Sequence, residues 1–239
     1  MDTKDLDIVY FVKSAGKNEE LVYSLRSICE NMEFRNVWFF GGCPAHLQPD
    51  KYVWRDQLNG KAKWDNTATL MKLACENPGL SENFILFNDD FFVMKKIKRL
   101  RPIYWGTLEE LADMIEKKRN HGYATRYTML LRNAASFLEL NDNTSYNYEL
   151  HVPMIINKKK MLEVIQLFPT VHCKRSLYGN LNSLHSKGVE MEDVKIHSLE
   201  EYRDTGKFLS TDDTSFISGE PGKIIREKFK KPSRFERLG

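Results

Sequence analysis

The chain has 239 residues, 41% hydrophobic and 29% charged, with 14 Phe and 10 Tyr, which is the composition of a folded globular protein and not of a disordered one. No apolar run approaches the roughly 18 to 20 residues that a bilayer span requires. The formal net charge of +3 does not by itself mark a nucleic-acid binder.

Asp7-Ile8-Val9-Tyr10-Phe11-Val12 is rich in β-branched and aromatic residues and ends at the turn-forming Lys13-Ser14-Ala15-Gly16, so it reads as a buried first strand. From Asn18 to Met32, Leu21, Leu25 and Ile28 recur at helical spacing. Asn18 stands as N-cap, with Glu19 and Glu20 in the first turn. Asn36 to Phe40, closed by Gly41-Gly42, is a second strand, and Lys51 to Trp54 a weaker third. A helix is expected over Asn66 to Asn77, stopped by Pro78-Gly79. Phe84-Ile85-Leu86-Phe87 is then a wholly apolar strand that runs straight into Asn88-Asp89-Asp90.

Thr107 and Glu110 form a capping box for a helix over Thr107 to Asn120, and Asn157 to Phe168 reads as another helix. Between them, Leu138 to Tyr148 is rich in turn residues and is expected to form a mobile loop or a lobe boundary. Residues after Pro153 look strand-like. Alternating strands and helices predict an α/β fold: a mostly parallel sheet flanked by helices, with a small helical and loop addition. One domain is expected over 1–239, with a basic C-terminal segment at about 221–239. The charged N-terminus lacks the apolar stretch of a leader, so a cytoplasmic location is expected. Cys29, Cys43, Cys75 and Cys173 stand singly and are expected to be thiols.

In an open parallel sheet, ligands bind beyond the carboxyl ends of the strands, where the acidic pair lies. Two adjacent carboxylates at the end of a buried strand repel one another, and a cation relieves the repulsion. Mg²⁺ or Mn²⁺ takes hard oxygen ligands from one or two carboxylates plus substrate phosphates, so Asp89 and Asp90 suit a nucleotide-diphosphate site. Two adjacent acids after a strand are often only a turn and helix cap. Asp212-Asp213 repeats the pattern, with Asp213 as a third metal ligand or one of the two as a cap. His151 is a candidate general acid or base, or a structural histidine. Arg126, Arg132, Lys174 and Arg175 are candidate phosphate clamps.

These segments together resemble the Stealth family of sugar-phosphate transferases. Asn18 to Ile28 is similar to the family's "NxELxYSLRSI" helix, and Asn77 to Phe92 resembles its "PGLSExFIYFNDDxF" signature, the most specific of the matches. His151-Val152-Pro153 is similar to its "HxP" region, with Arg175 near an arginine that follows. Phe208 to Asp213 and Pro232 to Glu236 resemble the fourth region and its "PSxFE"-like close. Where the family continues its first strand into a "WVDGSD"-like acidic loop, this chain has Phe11-Val12-Lys13-Ser14-Ala15-Gly16, and Ser210-Thr211 replace the Ile-Asn of "INDD".

The resemblance implies a core of the GT-A type and a metal-dependent transferase. Such an enzyme moves a sugar or sugar-1-phosphate from a nucleotide sugar, a UDP-sugar for preference, to a hydroxyl on a glycan or polysaccharide. Asp89, Asp90 and Asp213 would hold Mg²⁺ or Mn²⁺. Asn66, Asn88, Arg126 and Lys13 would bind the donor, and His151 and Arg175 would act with Asp89 in catalysis. Two rivals stand beside it. One is a glycosyltransferase acting on a hydroxylated DNA base, its nucleic acid held by the basic run from Lys223 to Arg237; the other is an inactive sugar-nucleotide-binding module.

Overall fold

The computed structural model describes residues 1–13, 16–56, 63–118, 125–141, 143–197 and 202–237. Ser14 and Ala15 of the first expected turn, Asn120 at the expected helix end and Asp142 of the expected loop lie outside them. The elements in chain order are β1 (Asp7–Val12), α1 (Glu19–Asn31), β2 (Val37–Gly41), β3 (Lys51–Trp54), α2 (Lys63–Glu76), β4 (Asn83–Phe87) and β5 (Phe91–Val93). They continue with β6 (Ile103–Tyr104), α3 (Leu108–Lys118), α4 (Arg126–Glu139), β7 (Met154–Asn157), α5 (Lys158–Leu167), α6 (Lys174–Leu181) and β8 (Val189–Glu190). Last come β9 (Lys195–Ile196), β10 (Phe208–Thr211), α7 (Asp213–Ile217) and α8 (Glu220–Lys228). The chain separates into two compact units, residues 1–100, 151–156 and 194–239 in the first, and 101–150 and 157–193 in the second.

The first unit holds a five-stranded sheet in the order β3-β2-β1-β4-β7. β1 runs parallel to both β2 and β4, and β2 runs parallel to β3. This is the α/β, mostly parallel architecture that the alternating pattern predicts. Parallel strands are covered on both faces, which is why β1, β2 and β4 read as continuous apolar runs. Ile8, Val9, Tyr10, Phe39, Phe40, Phe84, Ile85 and Phe87 are all fully buried. The edge strand β3 is mostly exposed, in keeping with its weaker pattern. α1 begins where expected, with Asn18 capping it through the Leu21 amide. Its Ser24 shares a hydrogen bond of 2.9 Å with the Tyr10 hydroxyl and donates to the Phe91 carbonyl, tying helix to sheet.

At the amino end of β1 the wholly buried Asp7 gathers the connections. It accepts from Arg35 Nε at 2.8 Å, Asn36 Nδ2 at 3.0 Å and the Ser81 amide at 2.9 Å. One carboxylate thus links the starts of β1, β2 and β4.

A second, three-stranded sheet has the order β5-β10-β9, with β10 antiparallel to β5 and parallel to β9. β5 is only three residues long, too short to carry a periodic pattern, so the sequence shows it merely as the apolar continuation of the acidic turn. α7 and α8 cover this sheet. Phe92 stacks on Phe216 at 5.8 Å, within a cluster that includes Leu209, Ile225 and Phe229. Approach at the helix junction is so close that a Cβ on Gly222 would lie 1.7 Å from the Phe216 carbonyl oxygen. The "PSxFE"-like segment clasps the same unit. Phe235 is buried against Phe34, and Glu236 meets Arg26 in a two-pronged ion pair at 2.9 and 2.6 Å.

The second unit is mainly helical. The Thr107–Glu110 capping box forms as expected, with the Glu110 carboxylate accepting from the Thr107 amide at 2.7 Å. α4, where no helix is expected from the pattern, buries Thr128, Leu131, Ala134, Ala135 and Leu138, of which only the two leucines are large and apolar, a weak hydrophobic signal. Its Arg132, one of the candidate phosphate clamps, pairs with Glu109, Asp113 and Glu116, which share one face of α3. Lys174 is likewise committed, donating to the carbonyls of Phe168 and Val171. The stretch expected to be a mobile loop or a lobe boundary is pinned at its end: Leu108 and Trp105 donate to the carbonyls of Ser145 and Asn147, and Ser145, Asn147 and Tyr148 are buried. All four cysteines are thiols. Among the described residues no helix is long and apolar enough to cross a membrane.

Candidate functional site

β4 is buried to its last residue, and β5 is buried from its first. Between them the chain surfaces only for Asn88-Asp89-Asp90, where Phe91 donates its amide back to the Asn88 carbonyl at 3.3 Å. The turn is therefore anchored in two sheets at once. Each aspartate is also held by a partner far away in sequence. Asn18 Nδ2 donates to Asp89 Oδ2 at 2.6 Å while its Oδ1 caps α1, so one amide fixes both the helix start and the carboxylate. Asp90 Oδ2 accepts from Lys195 Nζ at 2.9 Å and from Ser210 Oγ at 3.2 Å. The other oxygen of Asp90 is buried and has no hydrogen-bond partner among the described residues.

A pocket of about 540 Å³ opens at this turn. Asn88, Asp89 and Asp90 form one side, at the carboxyl end of β4. Thr211, Asp212, Asp213 and Thr214 form another, at the carboxyl end of β10. Glu20 enters from the first turn of α1, and His151 and Lys195 complete the lining. Asp212 is the N-cap of α7, accepting from the Ser215 amide at 2.8 Å, which leaves Asp213 as the exposed acid of the pair. His151 is half-buried, with its ring edge-on to Phe91 at 6.3 Å.

The electrostatics are those of a crowded anionic cavity. Burial is the main force pushing the Asp89 carboxyl above its ordinary range; the Asn18 hydrogen bond opposes that rise and the charge of Asp90 adds to it. Glu20 is pushed up to about 7, first by burial and then by repulsion from Asp90, Asp89 and Asp213, against the hydrogen bond that Thr211 Oγ1 donates at 2.9 Å. Near neutral pH this carboxyl hovers between its charged and neutral forms.

Of the residues singled out in the sequence, the pocket brings together Asn88, Asp89, Asp90, His151 and Asp213. Lys13, exposed just after β1, and Asn66, half-buried on α2, are not among its lining residues. α2 starts at Lys63, so Asn66 sits inside the helix and not ahead of it. Arg126 and Arg175 belong to the second unit, Arg126 exposed at the start of α4 and Arg175 donating to the Leu150 carbonyl at 2.7 Å. In the basic C-terminal segment, Arg226 pairs with Glu19 and Arg234 with Asp50, so two of its charges tie the segment to its own unit. Glu20, Lys195, Thr211 and Thr214 escaped the sequence reading. Glu20 looked like an ordinary first-turn acid, and no pattern in the residues around Lys195 distinguishes it.

The donor set fits Mg²⁺ or Mn²⁺. It consists of hard oxygens, the repulsion among the acids favours a cation, and a buried Asp90 oxygen lacks a donor. Among the described residues no three His, Cys, Asp or Glu side chains are grouped to hold a metal by themselves. A pair such as Asp89 and Asp90 is what these ions take from a protein when substrate phosphates supply further ligands.

No protein-family model and no curated protein matches the sequence, so the Stealth resemblance rests on the quoted motifs alone. Among solved structures, an active-site mutant of LgtC is similar at a TM-score of 0.46 and 12% identity, covering 96% of this chain and 98% of that one. The galactosyltransferase LgtC in complex with donor and acceptor sugar analogs gives 0.46 and 10%, with the same coverage. The apo-form glycosyltransferase GlyE of Streptococcus pneumoniae TIGR4 gives 0.47 and 8%, over 95% of this chain and 60% of that one. At such distances the fold and the site stand on this chain's own strands and side chains.

Proposed function

We propose that this chain is a metal-dependent transferase that moves a sugar, or a sugar-1-phosphate, from a nucleotide sugar of the UDP type to a hydroxyl of a glycan. One observation carries the reading: two carboxylates, each anchored through one oxygen, face a cavity of about 540 Å³ at the carboxyl end of a parallel strand, with one buried oxygen left without a donor. The "NDD" resemblance supports it independently.

Asp89 and Asp90 would hold Mg²⁺ or Mn²⁺ together with the donor's phosphate oxygens, and Asp213 lines the same pocket. When bound, that ion supplies positive charge against the donor's pyrophosphate. Asn88, exposed at the rim, is placed to donate to the donor's oxygens. His151 takes the proton of the acceptor hydroxyl as its oxygen forms the new bond. In sugar transfer the anomeric carbon bonds the acceptor oxygen and parts from the diphosphate, and UDP leaves. In sugar-phosphate transfer the acceptor oxygen bonds the β-phosphorus and UMP leaves.

Purified Asp89→Ala and Asp90→Ala proteins, checked for folding by circular dichroism, should lose at least about 100-fold in metal-dependent turnover of UDP-sugars. Full turnover in both folded variants would sink the assignment. Release of UDP or UMP by the unaltered chain separates a transferase from a module that merely binds the donor.

A further inference from the structure

Asp90 already has a cation of its own. Lys195 opens β9, and its ammonium lies 2.9 Å from Asp90 Oδ2 with side-chain exposures of 15% and 14%. Ser210 of β10 sits opposite Lys195 in the parallel register and donates to the same oxygen. Two neighbouring strands thus deliver both donors to Oδ2 and none to Oδ1. The remaining acids of the pocket, Glu20, Asp89, Asp212 and Asp213, have no lysine or arginine among the lining residues except Lys195.

An ammonium fixed beside a carboxylate opposes the entry of a divalent ion, because like charges at this range repel strongly in a partly buried site. A diphosphate reverses the balance. Its oxygens attract the ammonium and at the same time supply ligands to the ion. Resting on the transferase reading above, we propose that Lys195 is a positioning residue that makes cation and nucleotide bind cooperatively. It holds Asp90 and keeps cation affinity low until a diphosphate arrives, then shares its charge with the diphosphate. Such coupling is reciprocal: each ligand tightens the other by the same factor.

Titration calorimetry on the full chain tests this with MnCl₂ alone, UDP alone, and each in the presence of the other. The unaltered protein should bind Mn²⁺ at least about tenfold more tightly with UDP present, and UDP more tightly with Mn²⁺ by the same factor. Lys195→Met, similar in length and uncharged, should bind Mn²⁺ alone about tenfold more tightly, bind UDP less tightly and lose most of the coupling. Lys195→Arg should restore coupling. Unchanged or weaker Mn²⁺ binding by the Met variant overturns the proposal. So does independent binding of the two ligands by the unaltered chain, a result that needs no variant to fold and leaves the transferase reading standing. Failure of the unaltered chain to bind either ligand overturns both.

Discussion

Glu20→Gln removes one negative charge from the pocket and keeps the Oε1 atom that accepts the Thr211 hydroxyl at 2.9 Å. Burial and the neighbouring aspartates push the Glu20 carboxyl from 4.5 up to about 7. Each tenfold change in proton affinity is worth about 1.4 kcal/mol, so the displacement sets a ceiling of about 3 kcal/mol. Partial solvent contact reduces the expected effect to about 1–2 kcal/mol. Between pH 4.5 and about 7 the folded chain keeps a proton that the unfolded chain has released. Stability therefore falls as pH rises through that window and is level, for this group, above it. The Gln variant is spared that loss. In metal-free buffer it should melt with the unaltered chain near pH 4.5 and about 2–8 °C higher at pH 8, at about 2–4 °C per kcal/mol for a chain of this size. Thermal melts at pH 5, 6, 7 and 8 read the trend. A gap independent of pH, or a variant that melts lower at pH 8, refutes the account of the pocket as a repulsive anionic cavity.

Asp7→Ala should lower stability by about 3 kcal/mol in urea titrations, since it leaves Arg35, Asn36 and the Ser81 amide without their shared acceptor. Burial opposes ionisation of Asp7, but its hydrogen bonds from Arg35, Ser81 and Asn36 outweigh it and hold the carboxyl below 3.8. The Asp7 contribution is thus present above pH 3.8 and lost as pH falls through the folded value, so the Ala variant should show a shallower acid unfolding limb. Gly222→Ala should cost about 3 kcal/mol, because its Cβ would meet the backbone oxygen of Phe216 at 1.7 Å; a melt equal to that of the unaltered chain would disprove the close approach. His151→Ala should reduce kcat by about 100-fold or more with little change in KM for the donor. An equal rise in KM would assign His151 to binding instead.

Local pattern alone determines much of this molecule. Strands buried on both faces must be apolar throughout, so β1, β2 and β4 announce themselves, and Asn18 and Thr107 mark helix starts because few side chains can satisfy the first amides. The position of the acidic turn at the end of β4 was legible too, because a wholly apolar strand that stops at Asn88-Asp89-Asp90 marks its own end; whether the acids serve a cation or a turn was not. Asp212 shows the limit of that logic, since its surroundings resemble those of Asp89 and yet it caps α7.

Partnership across the chain was decided only in three dimensions. Lys195 meets Asp90 across 105 positions, Asn18 meets Asp89 across 71, and Thr211 meets Glu20 across 191. No spacing rule links such residues, because the sheet order and the register of β9 on β10 set their distances. Local sequence writes propensities and caps, whereas the protonation of Glu20 and the choice of which Asp90 oxygen is left without a donor depend on neighbours that only the folded chain supplies.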